Sequence, residues 1–325
     1  MIRWGILGPG RIAHKFAHDL LTLPDAQLYA VASSNQQRAS EFAGQYGALH
    51  AFGTYEELLT LPDLDVVYVA TPHTLHYENA LMLLNGGVAV LGEKPFAMNG
   101  QQVLEMVKTA RQNEVFLMEA LWSRFMPGIV KALDLAQSGA IGKVVSVKAD
   151  FGFKAQFSPE GRLFNKALGG GALLDIGIYP LFLSYLMLGK PSSIKAAATF
   201  GSTGTDEQCG MVLTYSDGQL ALLDCTLQAK TDCIGIIQGE LGQIRIHSRF
   251  HETKGITLQV EGQEPTLFDF ERSTFGYDYE AKHVMQCLTE GRTESPLWSL
   301  DDSINLMTLL DAVSAEAGIT YEPLT

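Results

Sequence analysis

The sequence predicts a two-domain protein, with a doubly wound parallel α/β sheet first and then an α+β domain with a large, mostly antiparallel open sheet. Up to residue 120, short apolar segments typical of buried strands alternate with amphipathic segments typical of helices, an order that builds a parallel sheet. From residue 193 to 270, short alternating segments are separated by turn residues, as in antiparallel sheets. At 325 residues the chain is long enough for two domains. We expect domains at 1–122 and 123–325, with the terminal helices as candidates for packing back on the first.

The composition argues against several classes of partner. The formal charge is -13 and no basic stripe is present to neutralise phosphates, which argues against nucleic acid. The longest apolar runs, such as Leu181 to Leu188, are far shorter than the roughly 20 residues of a membrane span. The four cysteines show no CxxC spacing, and no leader-like segment precedes the first strand. We expect a cytoplasmic protein that binds neither nucleic acid nor membrane.

A glycine motif follows the first predicted strand, Ile2–Leu7, and precedes an amphipathic helix that ends near Leu21. In the pattern GxGxxA, the first glycine makes a tight turn, the second lets the backbone approach a pyrophosphate, and the alanine allows close packing of helix on strand. The helix N-terminus then presents N–H groups to the phosphates. This arrangement predicts a dinucleotide site. The residues predicted to bind the cofactor here are Gly8, Gly10, Arg11 and Ile12.

The end of the second predicted strand, Gln27–Ala32, bears on the choice of cofactor. NAD-binding proteins usually place an acidic residue here to bind the ribose 2′-hydroxyl, and none is present. Ser33, Ser34 and Arg38 instead offer hydroxyls and a guanidinium that suit a 2′-phosphate. The sequence therefore favours NADP over NAD. The alternative is that the two serines cap the following helix, Gln36–Tyr46.

The next predicted strand, Asp65–Ala70, runs into a loop that contains two histidines. The HxxH spacing of His73 and His76 occurs in metal sites, but no third ligand lies nearby in the sequence, so we predict no metal. A loop that contacts the cofactor, or a histidine at a helix start, is the preferred interpretation. The residues assigned to the cofactor here are Thr71, Pro72, His73 and His76.

A buried central strand is predicted at Val88–Gly92, followed at once by Glu93, Lys94 and Pro95. Pro95 cannot continue the ladder, so the strand must end there. In open α/β sheets, ligands lie beyond the carboxyl ends of the strands, which is where Glu93 and Lys94 would stand. We predict that both contribute to the ligand site. The alternative is a solvated charge pair.

After a helix at Asn99–Asn113 and a sixth strand at Val115–Glu119, an aromatic and basic segment leads into the second domain. Its side chains are candidates for substrate contact, with packing or an ion pair between domains as the alternative. These candidates are Trp122, Arg124 and Phe125. A helix at Ile129–Gln137 and a strand at Lys143–Phe151 are predicted next.

A glycine-rich segment, Gly169–Gly171, precedes an apolar stretch that contains Asp175 and Tyr179. Consecutive glycines let the backbone approach a ligand closely, and residues four apart share a helical face. Pro180 indicates that regular helix begins close to this position. Beyond the antiparallel segments, two helices are predicted to close the chain, at Asp278–Thr289 and Ser299–Ala317.

In this order and spacing, the glycine motif, Glu93-Lys94-Pro95 and Asp175-Ile176-Gly177-Ile178-Tyr179 resemble the glucose–fructose oxidoreductase/inositol dehydrogenase (Gfo/Idh/MocA) family over the whole chain. Finer stretches resemble its branch of dimeric dihydrodiol dehydrogenases and NADP-dependent D-xylose dehydrogenases. These stretches are 118–125, 169–179, 279–284 and 294–296. The resemblance implies that Lys94 and Tyr179 are the catalytic pair with Asp175 beside them, and that the second-domain sheet forms a homodimer interface.

The chemistry that this resemblance implies is energetically feasible without a metal. A tyrosine with a free pKa of about 10 needs a drop of about 2–3 units, or about 3–4 kcal/mol, to act as a base near neutral pH. An ammonium about 4 Å away supplies about 4 kcal/mol at an effective dielectric constant of about 20. We predict an NADP-dependent dehydrogenase of a sugar or cyclic diol, with Tyr179 as acid/base assisted by Lys94. Two alternatives stay open: a reductase of a dicarbonyl or keto-sugar, and a non-catalytic regulator that senses nucleotide or sugar.

Overall fold

The computed structural model describes residues 1–321, which divide into two compact units. The first unit comprises Met1–Trp122 and Arg272–Ile304. The second comprises Ser123–Glu271 and the described residues from Asn305 onward. Residues 272–304 thus join the first unit although they follow the second in sequence.

Within its described residues, the first unit contains a six-stranded sheet in the order β3-β2-β1-β4-β5-β6, with every neighbouring pair parallel. The strands are β1 Ile2–Leu7, β2 Ala26–Ala32, β3 His50–Phe52, β4 Val66–Val69, β5 Ala89–Glu93 and β6 Leu117–Ala120. The helices are α1 Arg11–Leu20, α2 Gln36–Tyr46, α3 His76–Asn85, α4 Gly100–Asn113 and, after the second unit, α7 Tyr277–Thr289. This order is that of a dinucleotide-binding doubly wound fold, which confirms the predicted fold class.

Central strands β4 and β5 are buried over their whole length, which explains why they are continuously apolar rather than alternating. Short 3₁₀ turns complete the first unit, and one of them continues across the boundary between units. They span Glu56–Thr60, His73–Leu75 and Trp122–Phe125.

The described part of the second unit contains an eight-stranded sheet in the order β14-β13-β12-β11-β7-β10-β9-β8. Only β7 and β10 pair in parallel, and the other pairs are antiparallel, as predicted. The strands are β7 Val144–Gly152, β8 Ser193–Phe200, β9 Asp206–Thr214, β10 Leu220–Thr226, β11 Gly235–Gly239, β12 Gly242–Ile246, β13 Gly255–Val260 and β14 Thr266–Asp269. The helices are α5 Pro127–Gln137, α6 Ile178–Leu188 and α8 Leu300–Ala317, which begins in the first unit.

The helical stretch that contains α6 is more apolar than a count of consecutive apolar residues suggests. By length and composition, Lys166–Leu188 would suffice to cross a membrane, but 78% of its most apolar window is buried in the protein, as in a core helix. The residues of α6 from Ile178 to Ser184 are all buried. Its apolar character is therefore explained by packing in the second unit.

A buried carboxylate attaches α7 to α1 within the first unit. Asp19 on α1 is 0% exposed and accepts hydrogen bonds from the backbone N–H groups of Phe275 (3.1 Å), Gly276 (2.8 Å) and Tyr277 (2.9 Å). These N–H groups lie at the start of α7, where no carbonyl of the helix itself can accept them. Asp19 is thus the N-terminal cap of a helix about 260 residues further along the chain.

We expect Asp19→Ala to lower the free energy of unfolding by about 2–3 kcal/mol, because it removes a cap and leaves three N–H groups without their acceptor. The loss is measured by chemical or thermal unfolding. Asp63→Ala is the control, because Asp63 is exposed and pairs with Arg3 at the surface, where an ion pair contributes little. An equal loss of unfolding free energy in the two variants would show that Asp19 stabilises the protein only through its charge.

Candidate active site

The first unit gathers one set of predicted residues at a single edge of its sheet. Strands β1, β4 and β5 are neighbours and parallel, so the loops that follow them lie side by side. The predicted cofactor-binding residues all belong to this unit: Gly8, Gly10, Arg11, Ile12, Ser33, Ser34, Arg38, Thr71, Pro72, His73, His76, Glu93 and Lys94. The second unit holds Asp175, Tyr179, Arg124 and Phe125, and Trp122 ends the first segment of the first unit.

Different structural features explain the two glycines of the motif. Gly8 has a φ of +90°, and a β-carbon there would lie 2.9 Å from the backbone nitrogen of Thr71. Glycine is therefore required at this position by the chain's own backbone. At Gly10 the nearest atom to a β-carbon would be 4.0 Å away, so space is left above the start of α1. Helix α1 begins at Arg11 without a side-chain cap, which suits an anion at its N-terminus.

The structure contradicts the alternative that Ser33 and Ser34 cap the helix that follows β2. Asn35, not Ser33 or Ser34, caps α2, because its side chain accepts the N–H of Arg38 at 3.0 Å. Ser33 is buried and accepts the N–H of Asn35 at 3.3 Å. The side chains of Ser34 and Arg38 are exposed, and within residues 1–321 neither makes a hydrogen bond or an ion pair. They therefore stay candidates for binding a 2′-phosphate.

His76 connects two of the loops at this edge. Its Nε2 lies 2.8 Å from the carbonyl oxygen of Thr71, and its Nδ1 lies 2.9 Å from that of Pro95. A carbonyl oxygen can only accept, so each contact is a hydrogen bond when the facing ring nitrogen carries a proton. No cluster of three or more metal-ligating side chains occurs within the described residues. The His76 ring joins the segment that follows Lys94 to the loop that contains Thr71 and His73.

Glu93 is buried, which excludes the solvated charge pair as its role. Tyr68 on β4 donates its hydroxyl to Oε1 of Glu93, and the backbone N–H of Lys94 donates to Oε2 at 3.2 Å. Burial, together with the charge of Glu93, raises the pKa of Tyr68 well above its usual value, so this phenol remains a donor. The carboxylate of Glu93 thus fixes the backbone at Lys94.

Sequence reasoning missed two further buried carboxyl groups near Glu93. Glu119 on β6 is 2% exposed and accepts the indole N–H of Trp298 at 3.2 Å; burial raises its pKa to about 7. Glu280 on α7 is 0% exposed, and burial followed by the charge of Glu93 raises its pKa well above the usual range. An acidic residue inside an apolar segment is the signal that would have found Glu119, whereas Glu280 lies in a mostly polar segment that gives no such signal.

The segment proposed to contact substrate is largely buried. Trp122 is 6% exposed and stacks on Tyr277, with ring centroids 4.5 Å apart and an angle of 10° between the planes. Arg124 and Phe125 are also buried. For Trp122, packing within the first unit is therefore established, and contact with a substrate stays a prediction.

Asp175 and Tyr179 lie at the start of the α6 helix in the second unit, and both are buried. The residues Leu173–Gly177 form a π-helical turn that continues into α6 at Ile178, so regular helix begins two residues before Pro180. Turns of π-helix occur frequently at functional sites. Arg162 donates to both oxygens of Asp175, at 2.7 and 3.2 Å, and this bidentate contact holds the carboxylate in one orientation. The sequence offered no motif for Arg162.

The ring of Tyr179 contacts an aromatic cluster that includes a second missed residue. The ring centroids of Phe151 and His251 lie 5.5 and 5.0 Å from that of Tyr179. His251 stacks on Phe151 at 4.3 Å and is buried. The position of the Tyr179 ring is thus determined by packing within the second unit.

The glycine-rich segment before this helix approaches the protein's own chain. A β-carbon on Gly170 would lie 2.7 Å from the carbonyl oxygen of Arg162, and one on Gly171 would lie 2.1 Å from Oδ1 of Asp206. The close backbone approach that the sequence predicts therefore occurs, but at these two glycines it is to protein atoms rather than to a ligand.

Two family models match consecutive parts of this chain. An oxidoreductase model with an NAD-binding Rossmann fold, GFO_IDH_MocA, matches residues 2–121, and the GFO/IDH/MocA C-terminal domain matches residues 129–246. A trans-1,2-dihydrobenzene-1,2-diol dehydrogenase of Xenopus tropicalis is 40% identical over 98% of this chain and 99% of its own length. The chain belongs to the Gfo/Idh/MocA oxidoreductase family. The human trans-1,2-dihydrobenzene-1,2-diol dehydrogenase is 33% identical over 98% of both chains.

Solved structures agree with this family membership. KijD10, a 3-ketoreductase from Actinomadura kijaniata in complex with NADP and TDP-benzene, matches with a TM-score of 0.87 and 26% identity over 97% of this chain and 98% of its own. An aldose-aldose oxidoreductase from Caulobacter crescentus shares the fold, with a TM-score of 0.89 and 24% identity over 98% of this chain and 97% of its own. The Gfo/Idh/MocA architecture thus extends over nearly the whole chain.

The buried Glu119 makes the stability of this family member depend on pH. The folded state binds the Glu119 proton up to a pH of about 7, whereas the unfolded state binds it only up to about 4.5. This contribution, about 3 kcal/mol, is fully present below pH 4.5 and is lost as the pH rises through 7. We expect Glu119→Gln to remove it, so that stability falls less between pH 5 and pH 7.5, as measured by unfolding midpoints at the two pH values.

The exposed Glu114→Gln is the matched control for this experiment, and its pH dependence should equal that of the unsubstituted protein. A Glu119→Gln variant that keeps the original pH dependence would show that Glu119 ionises as it does in the unfolded chain.

Proposed function

We propose that this protein is an NADP-dependent dehydrogenase that oxidises a hydroxyl group of a sugar or a cyclic diol. The observation that carries the proposal is the 40% identity, over essentially the full length of both chains, to a trans-1,2-dihydrobenzene-1,2-diol dehydrogenase. The elements that the chemistry needs are retained: the glycine turn at Gly8, Lys94 at the ligand-binding edge of the sheet, and Tyr179 at the start of a buried helix. Trp122, Arg124 and Phe125 remain candidates for substrate contact.

The proposed mechanism divides the reaction between cofactor and protein. The nicotinamide, when bound, supplies the hydride acceptor. Tyr179, in its phenolate form, accepts the proton of the substrate hydroxyl. The substrate carbon gives up its hydride to that acceptor and becomes a carbonyl. The Lys94 ammonium favours the phenolate and orients the hydroxyl. Asp175, held by Arg162, provides a fixed negative charge four residues before Tyr179.

Several observations support NADP as the cofactor. The exposed Ser34 and Arg38 stand at the end of β2, where no acidic residue is present to bind a ribose hydroxyl. KijD10, at 26% identity, is a complex with NADP. We place the pyrophosphate at Gly10 and the N-terminus of α1, where space for it exists.

The second candidate function is reduction of a keto-sugar, because KijD10 is a 3-ketoreductase. The same residues would serve the reverse direction, with the Tyr179 hydroxyl as proton donor. A non-catalytic sensor is less well supported, since nucleotide binding alone would not require Lys94, Asp175 and Tyr179 together.

We also propose that the protein forms a homodimer through the open face of the eight-stranded sheet. Val212 and Leu222 lie directly opposite each other on β9 and β10, and each side chain is 39% exposed. Apolar side chains on neighbouring strands that face solvent are typical of an interface.

We expect Tyr179→Phe to reduce turnover by about a hundredfold to ten-thousandfold, because proton transfer by a positioned group contributes about 10²–10⁴ in rate and Phe cannot accept the proton. Turnover is followed by absorbance at 340 nm, with NADP and a panel of aldoses and cyclic diols, and in reverse with NADPH and keto-sugars. Fluorescence titration with NADPH is the control, and its dissociation constant should not change. Near-normal turnover of Tyr179→Phe would exclude Tyr179 as the acid/base.

We expect Arg38→Ala to weaken NADPH binding by about 10- to 100-fold, because a charge-assisted bond to the 2′-phosphate contributes about 1.5–3 kcal/mol. NADH lacks this phosphate, so its dissociation constant should stay the same and serves as the internal control. Both constants come from fluorescence titration. Equal weakening of both cofactors would place the role of Arg38 elsewhere.

A further inference from the structure

A buried carboxylate lies at the start of the helical segment that carries Asp175 and Tyr179. Asp206, the first residue of β9, is 1% exposed, and its Oδ2 accepts the backbone N–H of Leu173 at 2.7 Å. The N–H groups of Ala172 and of Asp206 itself favour the charged form of this carboxyl, whereas its Oδ1 accepts no hydrogen bond within the described residues. Leu173 is the first residue of the π-helical turn, where N–H groups have no acceptor within the helix. Asp206 therefore provides the acceptor that the start of this helix requires.

The lack of a side chain at Gly171 leaves room for this carboxylate. Its φ is +141°, and a β-carbon would lie 2.1 Å from Oδ1 of Asp206 and 3.0 Å from its Cγ. Any other residue at position 171 would displace the carboxylate. Cys225 closely approaches the other end of the turn, where a β-carbon on Gly177 would lie 2.9 Å from its Sγ. The turn is thus held by protein atoms at both ends.

The distance along the chain from this anchor to the reacting groups is short. Asp175 follows Leu173 by two residues and Tyr179 follows it by six, within one continuous helical segment. A shift or loosening of the first turn therefore moves both side chains. An error of about 1 Å in the placement of reacting groups can cost about a hundredfold in rate.

We propose that Asp206 is a positioning residue, whose ionised carboxylate fixes the first turn of the helix that carries Asp175 and Tyr179. Its effect on turnover depends on the function proposed above, whereas its anchoring of the backbone does not. An anion at a helix N-terminus is stabilised by the N–H groups and by the helix dipole. When protonated, the carboxyl has one O–H donor that faces N–H donors, so it loses an acceptor and the charge.

The charge of Asp206 changes within the range of pH in which such enzymes work. Burial raises its pKa to about 7, while the N–H groups and the charge of Lys166 act in the opposite direction. Cys209, Cys225 and Tyr321 are the other titratable groups that face it within the described residues. Burial raises the pKa of all three, to about 12 for Cys209 and well above the usual values for the other two, so they stay neutral.

Hydrogen exchange at the backbone N–H of Leu173 tests the anchor directly. After correction for intrinsic rates, we expect protection in the unsubstituted protein to be about tenfold greater at pH 8 than at pH 6. In Asp206→Asn, whose amide oxygen can still accept one N–H but does not titrate, protection should be equal at the two pH values. Glu207→Gln is the control, because it removes a neighbouring carboxylate that accepts a bond from Gln228 instead, and it should behave like the unsubstituted protein. A tenfold pH dependence of protection that persists in Asp206→Asn would overturn the proposal.

Lys166→Met leaves Asp206 in place and tests the role of its charge, also in case Asp206→Asn does not fold. Because Lys166 lowers the pKa of Asp206, its loss should move the midpoint of the exchange profile to higher pH by a few tenths of a unit. An unchanged midpoint would show that the anchor does not depend on ionisation of Asp206.

Kinetics then connects the anchor to the reaction. With any substrate that the 340 nm screen identifies, Asp206→Asn should lower kcat by about tenfold or more and leave the dissociation constant of NADPH unchanged, since NADPH binds the first unit. An unchanged kcat would exclude a positioning role. A protein with no turnover on any substrate would contradict the proposed function, and the exchange measurement would still decide whether Asp206 anchors the helix.

Discussion

Burial of a carboxylate is costly unless donors surround it, and this protein uses that requirement to fix the starts of helices. Asp19 accepts three backbone N–H groups at the start of α7, and Asp206 accepts that of Leu173 before α6. In both cases acceptor and donors are far apart in sequence. Each carboxylate thus determines where a distant helix begins, and the side chains on that helix follow.

The strands and most helices could be predicted because their signals are local. Central strands such as Val66–Val69 are continuously apolar, and Pro95 marks where β5 stops. The carboxyl edge followed from strand order, since Glu93 and Lys94 come directly after a buried strand. The anchors were not predictable in this way. Asp206 differs from other acids in a turn-rich region only through its contact with Leu173, 33 residues earlier.

The glycines in the sequence indicate where the backbone comes close to another group, but they do not indicate which group that is. The sequence indicates a tight turn at Gly8 and close approach at Gly171, and the structure has a positive φ at the first and close approach at the second. At both positions a β-carbon would meet the chain itself: the backbone of Thr71 in one case and the carboxylate of Asp206 in the other. At Gly10 the nearest atom to a β-carbon would be 4.0 Å away, which leaves room for a ligand. The glycines that shape the fold and the glycine that admits a ligand are therefore distinguished by their surroundings, which no spacing rule contains.

The carboxyl groups near Lys94 impose a further constraint on its surroundings. Burial and the charge of Glu93 both raise the pKa of Glu280 and so oppose its ionisation. Glu93 has the Tyr68 hydroxyl and the Lys94 N–H as donors, which favour its charged form. The backbone at Lys94 is therefore held by a buried carboxylate whose own position is fixed by a neighbouring strand, because Tyr68 lies on β4 and Glu93 on β5.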